Sequence, residues 1–91
     1  MTIRDRVRNG IKFLNKTRPG WRQELNAQQL EMNSCTQCVL GQIYGNYHEA
    51  IQRLNIRRPT LLGFQALQNT GYTRDFYDRL ATAWRNELRT R

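Results

Sequence analysis

The amino-acid sequence predicts an all-α fold, a small single domain over residues 1–91 built from a bundle of about four to five helices. Apolar residues near both ends of the chain recur at intervals of three and four, which is the spacing of one helix face. No internal repeat, low-complexity tract or long linker divides the chain, and 91 residues suffice for one small domain. Because only 38% of the residues are hydrophobic, we expect a thin core.

The first helix is predicted over residues 3–17. Thr2 and Asp5 have the spacing of a capping box, in which each side chain accepts a hydrogen bond from the other residue's backbone amide. Pro19 and Gly20 end this helix, because a proline disfavours helical geometry in the residue before it. The residues that repeat on its apolar face are Ile3, Val7, Ile11 and Leu14.

Four cations follow one another along the other side of this helix at intervals of four residues. They are Arg4, Arg8, Lys12 and Lys16. At ~1.5 Å of rise per residue they form a row ~18 Å long. Such a row suits the phosphate backbone of a nucleic acid, and it is equally typical of the solvated face of a charged helix. Both interpretations stay open at this point.

Two further helices are predicted outside the central segment. A short helix over residues 26–32 follows from Asn26 and Gln29, which repeat the capping-box spacing. A long helix over residues 74–90 is interpreted as structural, because its apolar residues share one arc: Phe76, Tyr77, Leu80, Ala83, Trp84 and Leu88. Residues 55–72, which contain one proline and two glycines, are expected to form a loop with at most one short helix.

The central segment allows two interpretations that differ at Gly45. In the first, helices over residues 35–44 and 47–54 are separated by a turn at this glycine. In the second, a single helix over residues 35–54 carries one continuous apolar stripe, formed by Val39, Ile43, Tyr47, Ala50, Ile51 and Leu54. A backbone turn at Gly45 would favour the first interpretation.

Residues 37–56 resemble the twenty-residue helix-turn-helix of phage repressors and Cro-like regulators. The fifth position of that motif is small, because two helices cross there, and here it is Gly41; the ninth is the glycine of the turn, here Gly45. Its apolar positions are occupied by Leu40, Tyr44, Ile51 and Leu54. The chain departs from the pattern at Asn46, where the family has Val, Ile or Leu. Asn46 can instead cap the second helix.

The resemblance implies a DNA-binding protein whose second helix, residues 47–54, lies in the major groove of duplex DNA. The positions that face the bases in that family are Tyr47, His48, Gln52 and Arg53. Contacts to the phosphates are expected from Arg57 and Arg58 after this helix, together with the row of cations on the first helix, Arg4, Arg8, Lys12 and Lys16.

The charge of the chain agrees with a polyanionic partner. Fifteen Lys and Arg residues against seven Asp and Glu residues give a net charge of +8. Residues 1–22 carry seven of the cations, whereas residues 23–52 contain three glutamates and no cation. Most of the cations are arginines, which pair with phosphate through two hydrogen bonds. Nucleic acid is therefore the first expectation, ahead of an acidic protein or an anionic membrane surface.

The two cysteines, Cys35 and Cys38, have the spacing of zinc and redox sites but lack partners. Zinc takes four ligands, and the one further strong candidate is His48, too far along a continuous helix to reach the same ion. We therefore expect free thiols in a reducing compartment, and no metal and no cofactor. The sequence also contains no recognisable catalytic set, which predicts a non-enzymatic protein, and no apolar run long enough to span a membrane.

A second resemblance covers more of the chain. Residues 19–22, the stretch 38–45, Tyr72 and the pair Ala83-Trp84 are similar to a family of short hypothetical proteins of actinobacterial phages and their hosts. It implies a phage or prophage origin and a place in the cytoplasm of a bacterial host. The alternative to a DNA-binding regulator is then a stoichiometric inhibitor or modulator that binds a host or defence protein through its basic surface. The sequence leaves open whether the chain is a monomer or a homodimer.

Overall fold

A computed structural model describes residues 2–66 and 73–89 of the chain. Within these ranges every secondary-structure element is an α-helix or a 3-10 turn, which confirms the all-α class. The four α-helices are α1 (Ile3–Thr17), α2 (Val39–Tyr44), α3 (Tyr47–Arg53) and α4 (Thr73–Arg89). Single 3-10 turns lie at Trp21–Glu24, Ala27–Gln29 and Pro59–Leu62. No helix in this described part of the chain is both long and apolar enough to cross a membrane.

Helix α1 begins and ends where the sequence predicts. The Thr2 hydroxyl accepts from the Asp5 amide at 3.1 Å, and the Asp5 carboxylate accepts from the Thr2 amide at 3.2 Å, so the capping box is confirmed. The last turn ends at Arg18, whose amide donates to the Leu14 carbonyl, and the chain then turns at Gly20 with φ +87°. The buried face of α1 consists of Val7, Gly10, Ile11 and Leu14.

Four aromatic rings form the centre of the core. Trp84 stacks on Phe64 with ring centroids 5.8 Å apart, and Trp21 meets Trp84 edge-on at 6.2 Å. Phe13 meets the other side of Phe64 edge-on at 6.3 Å. The indole of Trp84 donates to the Gly63 carbonyl at 2.7 Å, which satisfies its polar group inside the core. These contacts join α1, the turn after it, the Pro59–Leu62 turn and α4.

The segment around residue 30 differs from the prediction. The helix predicted over residues 26–32 is wrong: Asn26 caps a single turn, Ala27–Gln29, and Leu30 is extended and buried. The carbonyls of Ala27 and Leu30 accept hydrogen bonds from the Arg85 guanidinium at 3.0 and 2.7 Å. Because a side chain of α4 satisfies these carbonyls, the segment needs no helical hydrogen bonds of its own.

The other predicted boundaries are close to the observed ones. The central helix predicted to begin at residue 35 begins at Val39, because residues 34–38 form a separate turn in which the Cys38 amide donates to the Ser34 carbonyl. Helix α4 begins at Thr73, and residue 90 of its predicted range lies outside the described residues. The predicted loop over residues 55–72 contains the turn Pro59–Leu62, and its part from residue 67 onwards also lies outside them.

A buried acid joins the two long helices. The side chain of Glu87 in α4 is 11% exposed, and its carboxylate accepts a hydrogen bond from Nε of Arg8 in α1. Nε of Arg4 lies 4.0 Å from the same oxygen. Residues four apart on a helix are rotated by ~40° relative to each other, so the row of cations winds around α1. All four members are exposed, and the first two lie beside Glu87 with 66% and 50% of their side chains exposed.

We expect Glu87→Ala to lower the free energy of unfolding by about 1–3 kcal/mol, because the substitution removes a largely buried hydrogen-bonding carboxylate. Urea titration followed by circular dichroism measures this change. Glu49→Ala is the matched control, since Glu49 also lies near an arginine but its side chain is 62% exposed; its effect should be clearly smaller. Equal losses in the two variants would contradict a stabilising role for burial at Glu87.

Candidate nucleic-acid interface

The chain turns sharply between α2 and α3 at Gly45, so the interpretation as a single helix over residues 35–54 is wrong. Gly45 has φ +94° and ψ −34°, a backbone conformation that residues other than glycine rarely adopt. Its amide donates to the Gly41 carbonyl at 2.8 Å and ends α2. The Asn46 side chain then accepts from the amides of His48 and Glu49 at 2.9 and 3.3 Å. The expectation that Asn46 caps the second helix is confirmed.

Gly41 is required by the loop before α2 and not by a crossing of the two helices. A Cβ atom at Gly41 would lie 2.7 and 2.8 Å from the backbone C and Cα atoms of Thr36, and it would overlap the carbonyl oxygen of Cys35. That oxygen also accepts a hydrogen bond from the Tyr47 amide at 2.8 Å. One loop carbonyl therefore touches α2 and holds the first residue of α3.

The inward side of the two helices is less uniform than the resemblance implies. Leu40 is fully buried, whereas Tyr44, Ile51 and Leu54 are half-buried and pack against the rim of the core. The fully buried residue of α3 is Ala50, which lies next to the expected position Ile51. A small side chain at this place lets α3 approach its neighbours closely.

Three of the four residues predicted to face DNA bases lie together on the exposed side of α3: His48, Gln52 and Arg53. Tyr47 lies on the other side, where its ring packs against the core and its hydroxyl donates to Oε1 of Gln65 at 2.9 Å. Burial raises the pKa of Tyr47 to about 12. The Tyr47 ring meets the His48 ring edge-on at 5.3 Å, but it is part of the packing beneath α3 and does not share the exposed side with Gln52 and Arg53.

Glu49 shares the exposed side of α3 with His48, Gln52 and Arg53. Its carboxylate Oε1 lies 3.8 Å from Nη2 of Arg53, four residues later. The signal that identifies it is the i, i+4 spacing of opposite charges in the sequence, which places both side chains on one face of a helix.

The residues predicted to contact phosphate divide into two groups. Arg57 and Arg58 are exposed and follow α3 directly, after a bend at Asn55 with φ +54°. The cations of α1 lie on a helix that packs against the Pro59–Leu62 turn and α4, whereas α3 packs on α2. All four cations of the α1 row are exposed, and the first two lie beside Glu87.

The cysteines have different surroundings. Cys35 is exposed, whereas Cys38 is buried and its Sγ accepts from the Gly41 amide at 3.3 Å, which caps α2. Burial raises the pKa of the Cys38 thiol. In residues 2–66 and 73–89, no three side chains of His, Cys, Asp or Glu are grouped so that they could hold a metal ion. A ligand at this surface would therefore contact polar and charged side chains, which lie on α3 and in the segment that follows it.

We expect Gly41→Ala to destabilise the protein by about 1–3 kcal/mol, because the new methyl group would collide with backbone atoms of the preceding loop. In an unobstructed helix the same change is stabilising by about 1 kcal/mol. Thermal unfolding of the variant measures the sign. Gly45 provides the control: a Cβ there has open space but a positive φ, so asparagine should be better tolerated at 45 than at 41. A stabilised Gly41→Ala variant would contradict the close approach.

The raised pKa of Tyr47 predicts a loss of stability at alkaline pH. The stability that its neutral form contributes is fully present below pH 10, the ordinary pKa of tyrosine, and is lost as the pH rises towards about 12. Denaturant titrations across this range should show a smaller decline for Tyr47→Phe than for the wild type. Since the other tyrosines are common to both proteins, the difference isolates Tyr47. Parallel declines would show that its burial does not govern this pH dependence.

Comparison of the chain with protein-family models, with curated proteins and with solved structures finds no significant match.

Proposed function

We propose that the chain is a non-enzymatic DNA-binding protein of regulator type that places α3 in the major groove of duplex DNA. The observation that carries this proposal is the turn at Gly45, which separates α3 from α2 and leaves one polar face of α3 exposed. An α-helix with its side chains is ~10–12 Å in diameter, which fits a major groove ~12 Å wide, and the seven residues of α3 extend ~10 Å along the helix axis.

The side chains on this face suit base recognition. Gln52 has the amide that pairs with the N6 and N7 atoms of adenine, and Arg53 has the guanidinium that pairs with O6 and N7 of guanine. His48 lies one turn before Gln52 and can donate or accept. In this proposal Tyr47 positions α3 and does not contact the bases. Its ring packs against the core and its hydroxyl bonds Gln65, and these contacts fix the rotation of α3 about its own axis.

Electrostatic attraction supports the same partner. Arg57 and Arg58 are exposed at the end of α3, where they can contact the phosphates on one side of the groove. The net charge of +8 favours encounter with DNA over longer distances. The cations of α1 have a lesser role, since two of them are held close to Glu87. The proposal includes action in the cytoplasm of a bacterial host, as the likeness to short phage proteins implies.

Binding to duplex DNA should weaken steeply with salt, and two kinds of variant should behave differently. Arg57→Ala and Arg58→Ala should each reduce affinity for all sequences alike and lower the salt slope by about one. Arg53→Ala should reduce the preference among sequences more than it reduces the overall affinity. Fluorescence anisotropy with a panel of labelled duplexes, measured over a range of salt concentrations, reports both quantities.

Arg89→Ala is the matched control, because it removes the same charge from an exposed position at the end of α4. Its binding should stay close to that of the wild type. Wild-type binding that is undetectable or insensitive to salt near physiological ionic strength would overturn the proposal. In that case, a protein partner retained from a host lysate after nuclease treatment would favour the protein-binding alternative.

A further inference from the structure

An acidic side chain, Glu49, stands on the exposed face of α3 in the first turn of the helix, where the helix dipole favours a negative charge weakly. Glu49 and Arg53 are each 62% exposed, and 3.8 Å separates the carboxylate Oε1 from the guanidinium Nη2. This separation is longer than a hydrogen bond, and exposed pairs of this kind contribute little to stability. Glu49 nonetheless stands on the surface that would meet a polyanion, where a negative charge is unfavourable unless it has a donor to bind.

The base edges in the major groove differ in what they offer a carboxylate, which accepts hydrogen bonds and donates none. Cytosine presents its N4 amino group as a donor, and adenine presents its N6 amino group as a donor beside the acceptor N7. Guanine presents the acceptors O6 and N7, and thymine presents the acceptor O4 beside a methyl group. A carboxylate is therefore most favoured at cytosine, less favoured at adenine, where N7 repels it, and disfavoured at guanine and thymine. A guanidinium has the complementary preference, because it donates to both acceptors of guanine.

We propose that Glu49 is a specificity-determining residue which, together with Arg53, selects duplex DNA with a G·C pair beneath this part of α3. Glu49 would accept from N4 of cytosine while Arg53 donates to O6 and N7 of guanine. Side chains at i and i+4 of a helix start ~5–6 Å apart, a distance that matches one base pair or two adjacent pairs. This inference rests on the proposed binding of DNA by α3.

The main effect of Glu49 in this proposal is to lower the affinity for duplex sequences that lack the preferred base pair. Where it faces guanine or thymine, its carboxylate would be moved out of water and close to phosphates without a donor, and where it faces adenine the donor N6 lies beside the acceptor N7, so both cases are less favourable than cytosine. Replacing Glu49 by glutamine should therefore strengthen binding to duplexes of arbitrary sequence and weaken discrimination at the same time. A residue that served only to hold α3 in shape would change neither quantity in this direction.

Selection of bound sequences from a duplex pool with a randomised segment tests the proposal. Wild-type protein should enrich sequences with one fixed G·C pair. Glu49→Gln should reduce the discrimination between G·C and A·T at that pair by about tenfold, while its affinity for the unselected pool rises. Glu31→Gln is the matched control, because it makes the same charge change at an exposed position in the loop before α2. It should keep the wild-type preference.

Three outcomes would overturn the role of Glu49. They are a wild type that binds duplexes without a G·C preference, a Glu49→Gln variant that keeps the preference, and a Glu31→Gln variant that loses it equally. In each of these outcomes the protein still binds duplex DNA, so the proposed function is not contradicted. A wild type that binds no duplex at any salt concentration would instead overturn the proposed function, and this inference with it. Circular dichroism of each variant confirms that the helices are retained.

Discussion

The carbonyl oxygen of Cys35 sets the arrangement of the two short helices. It accepts the Tyr47 amide at the start of α3 and lies against the bare α-carbon of Gly41 in α2. Gly45 permits the change of direction between the helices, but the glycine alone does not determine that direction. The loop that precedes both helices supplies the fixed point. The exposed face of α3 therefore depends on this contact at the start of the helix, together with the Asn46 cap and the packing of Tyr47.

The net charge of the chain overstates the cationic surface that a partner meets, because the fold itself uses several arginines. Arg6 and Arg85 donate to backbone carbonyls, whereas Arg8 and Arg18 donate to carboxylates. The bonds of Arg6 and Arg85 satisfy backbone carbonyls in the irregular segments, whereas those of Arg8 and Arg18 pair the charge with a carboxylate. Exposed cations in the described part of the chain include Lys12, Lys16, Arg53, Arg57 and Arg58.

Local patterns in the sequence predict the elements whose contacts are local. The capping box of α1, the glycine turn and the cap at Asn46 depend on residues a few positions apart, and all three are observed. The segment after residue 26 could not be predicted in this way, because the side chain that satisfies its carbonyls is Arg85, more than fifty residues later. For Tyr47 the two sequence arguments disagree: helical periodicity places it on the apolar side with Ala50, Ile51 and Leu54, as observed, whereas the resemblance places it towards the bases; its partner Gln65 lies outside both patterns.

The contact between Arg8 and Glu87 joins residues 79 positions apart, whereas the hydrogen bonds made by α2 and α3 join residues 18 or fewer apart. During synthesis, the ion pair and the docking of Trp84 cannot form until almost all of the described chain has left the ribosome. In α2 and α3, the carbonyls that accept from the backbone amides lie nearby in the chain, so they are synthesised long before Glu87. Closing the longer loop also costs more chain entropy than closing the shorter one. The pairing of α1 with α4 therefore carries the largest loop-closure cost of the helix contacts in the described chain.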